Sequence, residues 1–240
     1  PWLAALGLAD LAMVEGRFGE AVSELEQILK VEKGLNGQMV AVTKILMGSA
    51  QVAGGQAAAA VGTLGEAASA LNDPERLAMV GHLLARANSP SKALAVAAQL
   101  EKGNRKQAEA YARFVRAEAA LASRDFKQAG THFRESLRLL DTWMVHYGMG
   151  RWYLENQQAI EALAEFIKCE NRRGEAAWLV IEDVPTYGLY PGALFDSARA
   201  REASGDRVGA KQTYEEYLKY RSQASDPMTV LARERAKSLS

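Results

Sequence analysis

Apolar residues recur along the chain at helical spacing, and no stretch shows the alternation of a series of strands. Within this pattern one motif returns. A turn-forming or small residue is followed two positions later by an often bulky residue, and five positions later by an alanine that opens an apolar helix. The copies are Gly16–Ala21, Gly55–Ala60, Asn88–Ala93, Arg124–Ala129, Gln157–Ala162 and Gly205–Ala210. Their alanines are 39, 33, 36, 33 and 48 residues apart, close to the ~34 residues of a helix–turn–helix repeat.

Two further positions keep the same register. Four residues after each alanine stands an apolar or aromatic residue in most copies: Leu25, Leu64, Ala97, Phe133, Phe166 and Tyr214. Twelve residues before each alanine stands a small residue: Ala9, Gly48, Gly81, Ala117, Gly150 and Ala198. Small residues let two helices cross closely, and a larger residue fills the wedge between neighbouring hairpins. The pattern therefore predicts a solenoid of stacked helical hairpins.

These residues resemble the tetratricopeptide repeat, whose consensus combines Leu-Gly, Tyr, Ala and Phe at fixed positions. The fifth copy matches best, with Met149-Gly150, Tyr153, Ala162, Phe166 and Cys169 in the expected places. The resemblance implies an all-α, right-handed superhelix of about six hairpins, forming one domain over residues 1–240. The expected repeats are 2–35, 41–73, 74–104, 108–141, 143–173 and 191–223.

The register breaks over an insertion at residues 174–190. The apolar run from Glu175 to Ile181 predicts one more helix. The following segment, 184–191, is expected not to continue as helix, because it contains Pro185 and ends at Pro191. After Asp226, Pro227 predicts a final helix over 227–237 that caps the last repeat with a polar face.

Composition agrees with helix and narrows the function. The chain has 43 alanines and 6 prolines. Its 29 basic and 29 acidic residues argue against a nucleic-acid partner. One cysteine and three dispersed histidines predict no disulfide and no metal site. Phosphate-binding, dinucleotide-binding and catalytic motifs are absent from the sequence, so we expect no cofactor and no enzymatic activity. The longest uncharged stretch, 45–65, is too polar to insert into a membrane.

The first helices of such a solenoid line its concave face, where aromatic and arginine side chains are typical of binding hot spots. The residues predicted to bind a protein or peptide are Tyr111, Phe114, Tyr147, Arg151, Leu154, Phe195 and Arg199. For Phe114 and Tyr147, packing against the neighbouring repeat is an equal alternative. In the insertion, Tyr187 and Tyr190 are candidate loop contacts, or they cover a gap between misaligned repeats. A change of sign, from net +4 over residues 101–140 to net −4 over 141–200, suits a peptide of opposite charge order.

A narrower resemblance covers the last 70 or so residues. The matching segments are Arg173–Ala176, Glu182–Thr186, Gly205-Asp206, Tyr214, Tyr217-Leu218 and Asp226-Pro227. They are similar to the tetratricopeptide tails of bacterial eukaryotic-type serine/threonine kinases and of winged-helix regulators. That resemblance implies a non-catalytic regulatory or sensory part of a larger bacterial protein. It leaves the cytoplasm and the periplasm open, with a membrane tether before Pro1 as an expectation, and it does not address the oligomeric state.

One function from another class is kept as an alternative. A periplasmic solenoid that binds or cleaves glycans would need a convergent group of carboxylates near the inner face. The candidates are Glu118, Glu155 and Glu202, which belong to three different repeats.

Overall fold

The computed structural model describes residues 1–103, 105–178 and 186–239, and within them all regular structure is helical. The six hairpins are α1 (Trp2–Val14) with α2 (Phe18–Val31), α3 (Gly37–Ala53) with α4 (Ala57–Ser69), α5 (Pro74–Arg86) with α6 (Pro90–Leu100), α7 (Lys106–Ala122) with α8 (Phe126–Leu139), α9 (Trp143–Glu155) with α10 (Ala159–Asn171), and α11 (Tyr190–Ala203) with α12 (Arg207–Tyr220). The last helix is α13 (Pro227–Ser238). The predicted all-α solenoid is confirmed.

The repeated small and large positions form the contacts between helices. The six motif alanines are fully buried: Ala21, Ala60, Ala93, Ala129, Ala162 and Ala210. A Cβ on Gly48 would lie 2.5 Å from the Leu64 side chain, and a Cβ on Gly150 would lie 2.6 Å from the Phe166 ring. Glycine is needed at these two places because the larger residue of the second helix packs directly onto the first helix.

The turn inside each hairpin has the same backbone conformation. Its first motif residue has a positive φ in all six copies: Gly16 (81°), Gly55 (77°), Asn88 (56°), Arg124 (61°), Gln157 (60°) and Gly205 (89°). Glycine adopts this left-handed conformation at lowest cost, whereas a residue with a side chain is strained there. Three of the six turns nevertheless use a polar residue.

Helices α5 and α13 each begin at a proline, and the start at Pro227 is the one predicted from the sequence. Helix α5 begins at Pro74, and the Asp73 carboxylate accepts a hydrogen bond of 3.0 Å from the Arg76 amide. Helix α13 begins at Pro227, with Asp226 as its N-cap. Proline suits the first helical position because its missing N–H needs no partner there.

The insertion differs from its prediction in two respects. A 3₁₀ helix covers Arg173–Trp178, where an α-helix was expected to begin, and the rest of that prediction lies on residues 179–185, outside the described residues. A second 3₁₀ helix covers Tyr187–Leu189, and α11 follows at once from Tyr190. Pro191 therefore lies in the first turn of α11 instead of ending a helix, because a first-turn proline loses no intrahelical hydrogen bond.

The end of the chain packs against its beginning. The Gly188 amide donates a hydrogen bond of 2.8 Å to the Asp10 carboxylate, which is buried in α1. A Cβ on Gly16 would lie 2.7 Å from both the Ala224 and the Arg221 side chains. The last hairpin and the insertion therefore close against the first hairpin. A central cavity of about 80 Å³ remains between the first hairpin and the last one.

Candidate functional site

Two open depressions lie where the inner helices end. The first, of about 310 Å³, is bordered by the carboxyl ends of α5, α7 and α9. The second, of about 590 Å³, lies between the ends of α9, α11 and α13. Five arginines line them, and we call this set the arginine row: Arg86, Arg124, Arg151, Arg199 and Arg235.

Arg151 is held by a buried carboxylate. Its Nη1 lies 2.9 Å from Oε2 and 3.3 Å from Oε1 of Glu118, and its guanidinium lies 5.8 Å from the centroid of the Tyr147 ring. Glu118 is 1% exposed. Burial raises the pKa of Glu118, but the charges of Arg151 and His82 outweigh it and lower that pKa to about 2. Glu118 is therefore ionised and forms an ion pair with Arg151.

Two more arginines of the row have acidic partners. The Arg199 guanidinium lies 3.0 Å from Oδ1 of Asp196 and 3.8 Å from Oε1 of Glu155. Arg235 lies 3.5 Å from Oε1 of Glu202. These pairs are partly exposed, so each contributes little to stability, but they fix the direction of the side chains along the row.

Arg86 and Arg124 are different. Both side chains are exposed, and among the described residues neither has a carboxylate within 4 Å. Arg124 lies over the Phe126 ring at 5.9 Å, and Arg86 donates a long hydrogen bond of 3.5 Å to the Tyr147 hydroxyl. These two guanidinium groups therefore have no direct ion-pair partner, and three arginines line the first depression against two glutamates, Glu118 and Glu155.

The predicted binding residues fall into two groups. Arg151 lines the first depression, whereas Leu154 and Arg199 line the second. The four aromatic residues are buried, with exposed fractions of 9%, 1%, 5% and 5% for Tyr111, Phe114, Tyr147 and Phe195.

The buried aromatic residues pack within their hairpins and, for Phe114, also against the preceding repeat. Phe114 stacks on His82 with 5.8 Å between centroids, and its ring centroid is 6.3 Å from that of Phe133. Phe195 packs against Tyr214 and Tyr217. Tyr111 borders a separate depression of about 390 Å³ near the amino ends of α7 and α9.

The two tyrosines of the insertion stack on each other. The ring centroids of Tyr187 and Tyr190 are 5.1 Å apart, and both rings lie near Tyr220 at the end of α12. Tyr190 is 2% exposed, and burial raises its pKa to about 12. This aromatic cluster fixes the insertion to the last hairpin.

Sequence reasoning missed Arg86, Arg124 and Arg235. It considered only inner positions within each first helix, whereas these residues stand at a helix end, in a turn and on the capping helix. Arg124 did carry a signal, since it occupies the turn position that is glycine in other copies.

The three glutamates of the glycan alternative, Glu118, Glu155 and Glu202, are all engaged in ion pairs. Each lies beside its own arginine, and the pKa of Glu118 is lowered. A glycosidase needs one carboxyl group with a raised pKa as proton donor. Within the described residues no group of three or more metal-binding side chains occurs, and no helix is long and apolar enough to cross a membrane.

Comparison with known proteins supports the fold. No protein-family model matches the chain, and no curated protein does. Among solved structures, a tetratricopeptide repeat protein from Parabacteroides merdae matches with a TM-score of 0.60 and 14% identity, over 99% of this chain and 84% of that one.

Weaker structural similarity is found to two other repeat proteins. A putative kinesin light chain with tetratricopeptide-like repeats, from Podosopora anserina, has a TM-score of 0.40 and 18% identity, over 90% of this chain and 92% of that one. The tetratricopeptide domain of P58(IPK) has a TM-score of 0.41 and 14% identity, over 99% and 79%. The similarity to the Parabacteroides protein establishes that this chain has the fold of tetratricopeptide-repeat proteins.

Proposed function

We propose that this chain is a non-catalytic protein-interaction scaffold that binds an acidic peptide segment of its partner along the arginine row. The sequence resemblance to tetratricopeptide tails of bacterial kinases and winged-helix regulators supports a place as the regulatory or sensory part of a larger bacterial protein. The fold is consistent with such a role, because a stack of helical hairpins offers an extended surface for a partner.

The observation that carries the proposal is the residue type in the strained turns. The three turns that use glycine are those of the first, second and last hairpins. In the three middle hairpins the same left-handed position holds Asn88, Arg124 and Gln157, and these side chains line the two depressions. Glycine would relieve the strain at each place. Polar side chains kept at strained positions around one surface are typical of a binding site.

The charge distribution supports an acidic ligand. Arg86 and Arg124 have no carboxylate partner, while Arg151 and Arg199 are already oriented by theirs. Guanidinium groups bind carboxylates through charge-assisted hydrogen bonds. Leu154 adds an apolar contact in the second depression. The four predicted aromatic residues are buried beneath this surface: Tyr111, Phe114, Tyr147 and Phe195.

Selection from a random peptide library on the purified chain tests the proposal. We expect the selected peptides to be rich in Asp and Glu, and their affinity to fall with rising salt. Replacement Arg124→Gly should weaken binding about tenfold or more, the loss expected for one charge-assisted hydrogen bond. The same replacement should leave the fold as stable or raise the free energy of unfolding by about 0.5–1 kcal/mol, because it removes backbone strain.

Arg138→Ala provides a matched control. Arg138 is also exposed, but it lies on α8 and outside both depressions. It should leave affinity unchanged. Selected peptides without an acidic excess, or equal affinity for Arg124→Gly and the unchanged chain, would refute the proposal.

A further inference from the structure

The central cavity lies at the contact between the two ends of the chain. Its wall comes from the first, second, third, fifth and last hairpins and from the insertion. The residues on which the argument rests are Phe18, His82, Arg86, Tyr147, Arg221 and Asp226. The volume of about 80 Å³ holds several water molecules or one small functional group, but no nucleotide or sugar.

Arg221 is a buried cation without a direct ion-pair partner among the described residues. The residue is 5% exposed, and its guanidinium stacks over Phe18 at 4.9 Å and near Tyr217 at 6.0 Å. Its Nε and Nη1 have no hydrogen-bond acceptor, and no described carboxylate lies within 4 Å of it. Burial lowers the pKa of Arg221, but a guanidinium stays protonated. An unpaired charge at such depth is costly unless an anion joins it.

The carboxylate on the cavity wall is already engaged. Oδ1 of Asp226 accepts hydrogen bonds of 3.1 Å from the amides of Met228 and Thr229, and its Oδ2 accepts one of 2.6 Å from the Thr229 hydroxyl. Asp226 thus caps α13 and acts on Arg221 only through its charge, beyond ion-pair distance. The wall therefore carries two guanidinium groups, Arg221 and Arg86, against the one carboxylate of Asp226.

One further cation borders the cavity. His82 adds no free charge there, because it is 3% exposed, burial lowers its pKa, and its Nδ1 lies 3.4 Å from Oε1 of Glu118. Arg86 is exposed, and it lines both this cavity and the first depression of the arginine row. It therefore stands between the proposed peptide site and the buried Arg221.

We infer that the central cavity is a carboxylate-binding site, in which the buried Arg221 binds the carboxylate and Arg86 lies beside it. A single negative charge matches the one buried cation, and a carboxylate group fits the volume. The carboxylate belongs either to a small free acid or to an Asp or Glu side chain of a docked peptide. The second source rests on the proposed function. Because Arg221 contacts Phe18 of the first hairpin, the bound anion would also hold the two ends of the chain together.

Acetate is the probe for the free-acid source. Thermal unfolding is measured with sodium acetate against sodium chloride at equal ionic strength, and binding by calorimetry. We expect saturable binding in calorimetry and a rise of about 4 °C in Tm at a tenfold excess over Kd, which grows with the logarithm of the acetate concentration. Arg221→Met keeps the aliphatic stem but removes the charge, so it should abolish this response. Arg138→Met, which removes an exposed arginine on α8, should retain it.

A separate experiment tests whether the carboxylate in the cavity comes from a docked peptide. A selected acidic peptide and its Glu→Gln and Asp→Asn versions are compared on the unchanged chain and on Arg221→Met. A cavity carboxylate from the peptide predicts that one such replacement weakens binding at least tenfold on the unchanged chain and has no effect on Arg221→Met.

Failure of this inference can be separated from failure of the proposed function. Peptide binding that depends on Arg124 but not on Arg221, with no acetate response, overturns the cavity site and leaves the arginine row intact. An acetate response, together with a failure to select acidic peptides, overturns the arginine row and leaves the cavity site intact. If Arg221→Met does not fold, Arg221→Lys serves instead: an acetate affinity equal to that of the unchanged chain would overturn the role of the guanidinium.

Discussion

Replacing Glu118 by glutamine is expected to lower the free energy of unfolding by about 3 kcal/mol. The carboxylate is 1% exposed and lies 2.9 Å from the Arg151 guanidinium, whose side chain is 18% exposed. Breaking a buried ion pair costs about 3–5 kcal/mol, because it leaves one charge uncompensated. The lower value applies here, since water in the first depression reaches Arg151.

The lowered pKa of Glu118, which arises from the same contact with Arg151, is consistent with this magnitude. Its lowering from 4.5 to about 2 corresponds to about 3 kcal/mol between the charged and protonated forms. The direction of the pKa shift determines how stability changes with pH. A lowered pKa stabilises the fold above the unfolded value of 4.5, and this contribution is lost as the pH falls towards 2. Glu118→Gln should therefore lose less stability than the unchanged chain on acidification.

Urea unfolding followed by far-UV circular dichroism measures both effects. In thermal unfolding followed by the same signal, the expected fall in Tm is about 6–12 °C for a chain of this size. Glu101→Gln is the matched control, because Glu101 pairs with Arg116 at 2.7 Å while 40% exposed, and its loss should cost less than about 1 kcal/mol. The double variant Glu118→Gln/Arg151→Met should lose less than the sum of the single variants. The reasoning would be refuted if Glu118→Gln lowered the free energy of unfolding by less than about 1 kcal/mol, or if it left the loss of stability at acidic pH unchanged.

Three further outcomes are expected. Gly150→Ala should cost about 1–3 kcal/mol in urea unfolding, because its Cβ would meet the Phe166 ring, whereas Gly7→Ala, with no atom within 4 Å, should gain about 0.5–1 kcal/mol; equal effects would contradict the packing. Burial raises the pKa of Asp10, although hydrogen bonds from two backbone amides partly oppose this rise. The fold therefore loses stability as the pH rises from about 3.9, the unfolded value, through the raised pKa of the folded state. Asp10→Asn should flatten this dependence in unfolding measured from pH 4 to 7, and an identical slope would refute it. Cys169 is 1% exposed and burial raises its pKa, so a thiol reagent should react only upon unfolding; rapid reaction of the native chain would show otherwise.

The repeat register could be read from the sequence because its physical cause is local. A helix hairpin needs a small residue at each crossing and a turn at a fixed distance from it, so the same spacing returns in every copy. Gly150 and Ala162 illustrate this, since both are buried at the predicted crossing with Phe166 between the helices. The helix starts at Pro74 and Pro227 follow from equally local backbone chemistry.

Binding residues were harder to predict, because the side of a helix that faces inward is not always exposed. Phe114 and Tyr147 stand at inner positions, yet the neighbouring repeats cover them. Arg124, which lies outside the inner helix positions, lines the first depression. Exposure depends on how far each hairpin rotates against the next one, and side-chain spacing within one helix does not report that rotation.

The sequence by itself determined the all-helical class, the hairpin register and the capping helix, since these depend on periodicity, small residues and helix-start chemistry within about forty residues. Only the tertiary structure decided that the insertion returns to the first hairpin, where the Gly188 amide binds Asp10 and Arg221 packs on Phe18. Those contacts join residues about 200 positions apart. They depend on the summed rotation of all six hairpins, which brings the last hairpin against the first and leaves a buried charge beside the cavity between them.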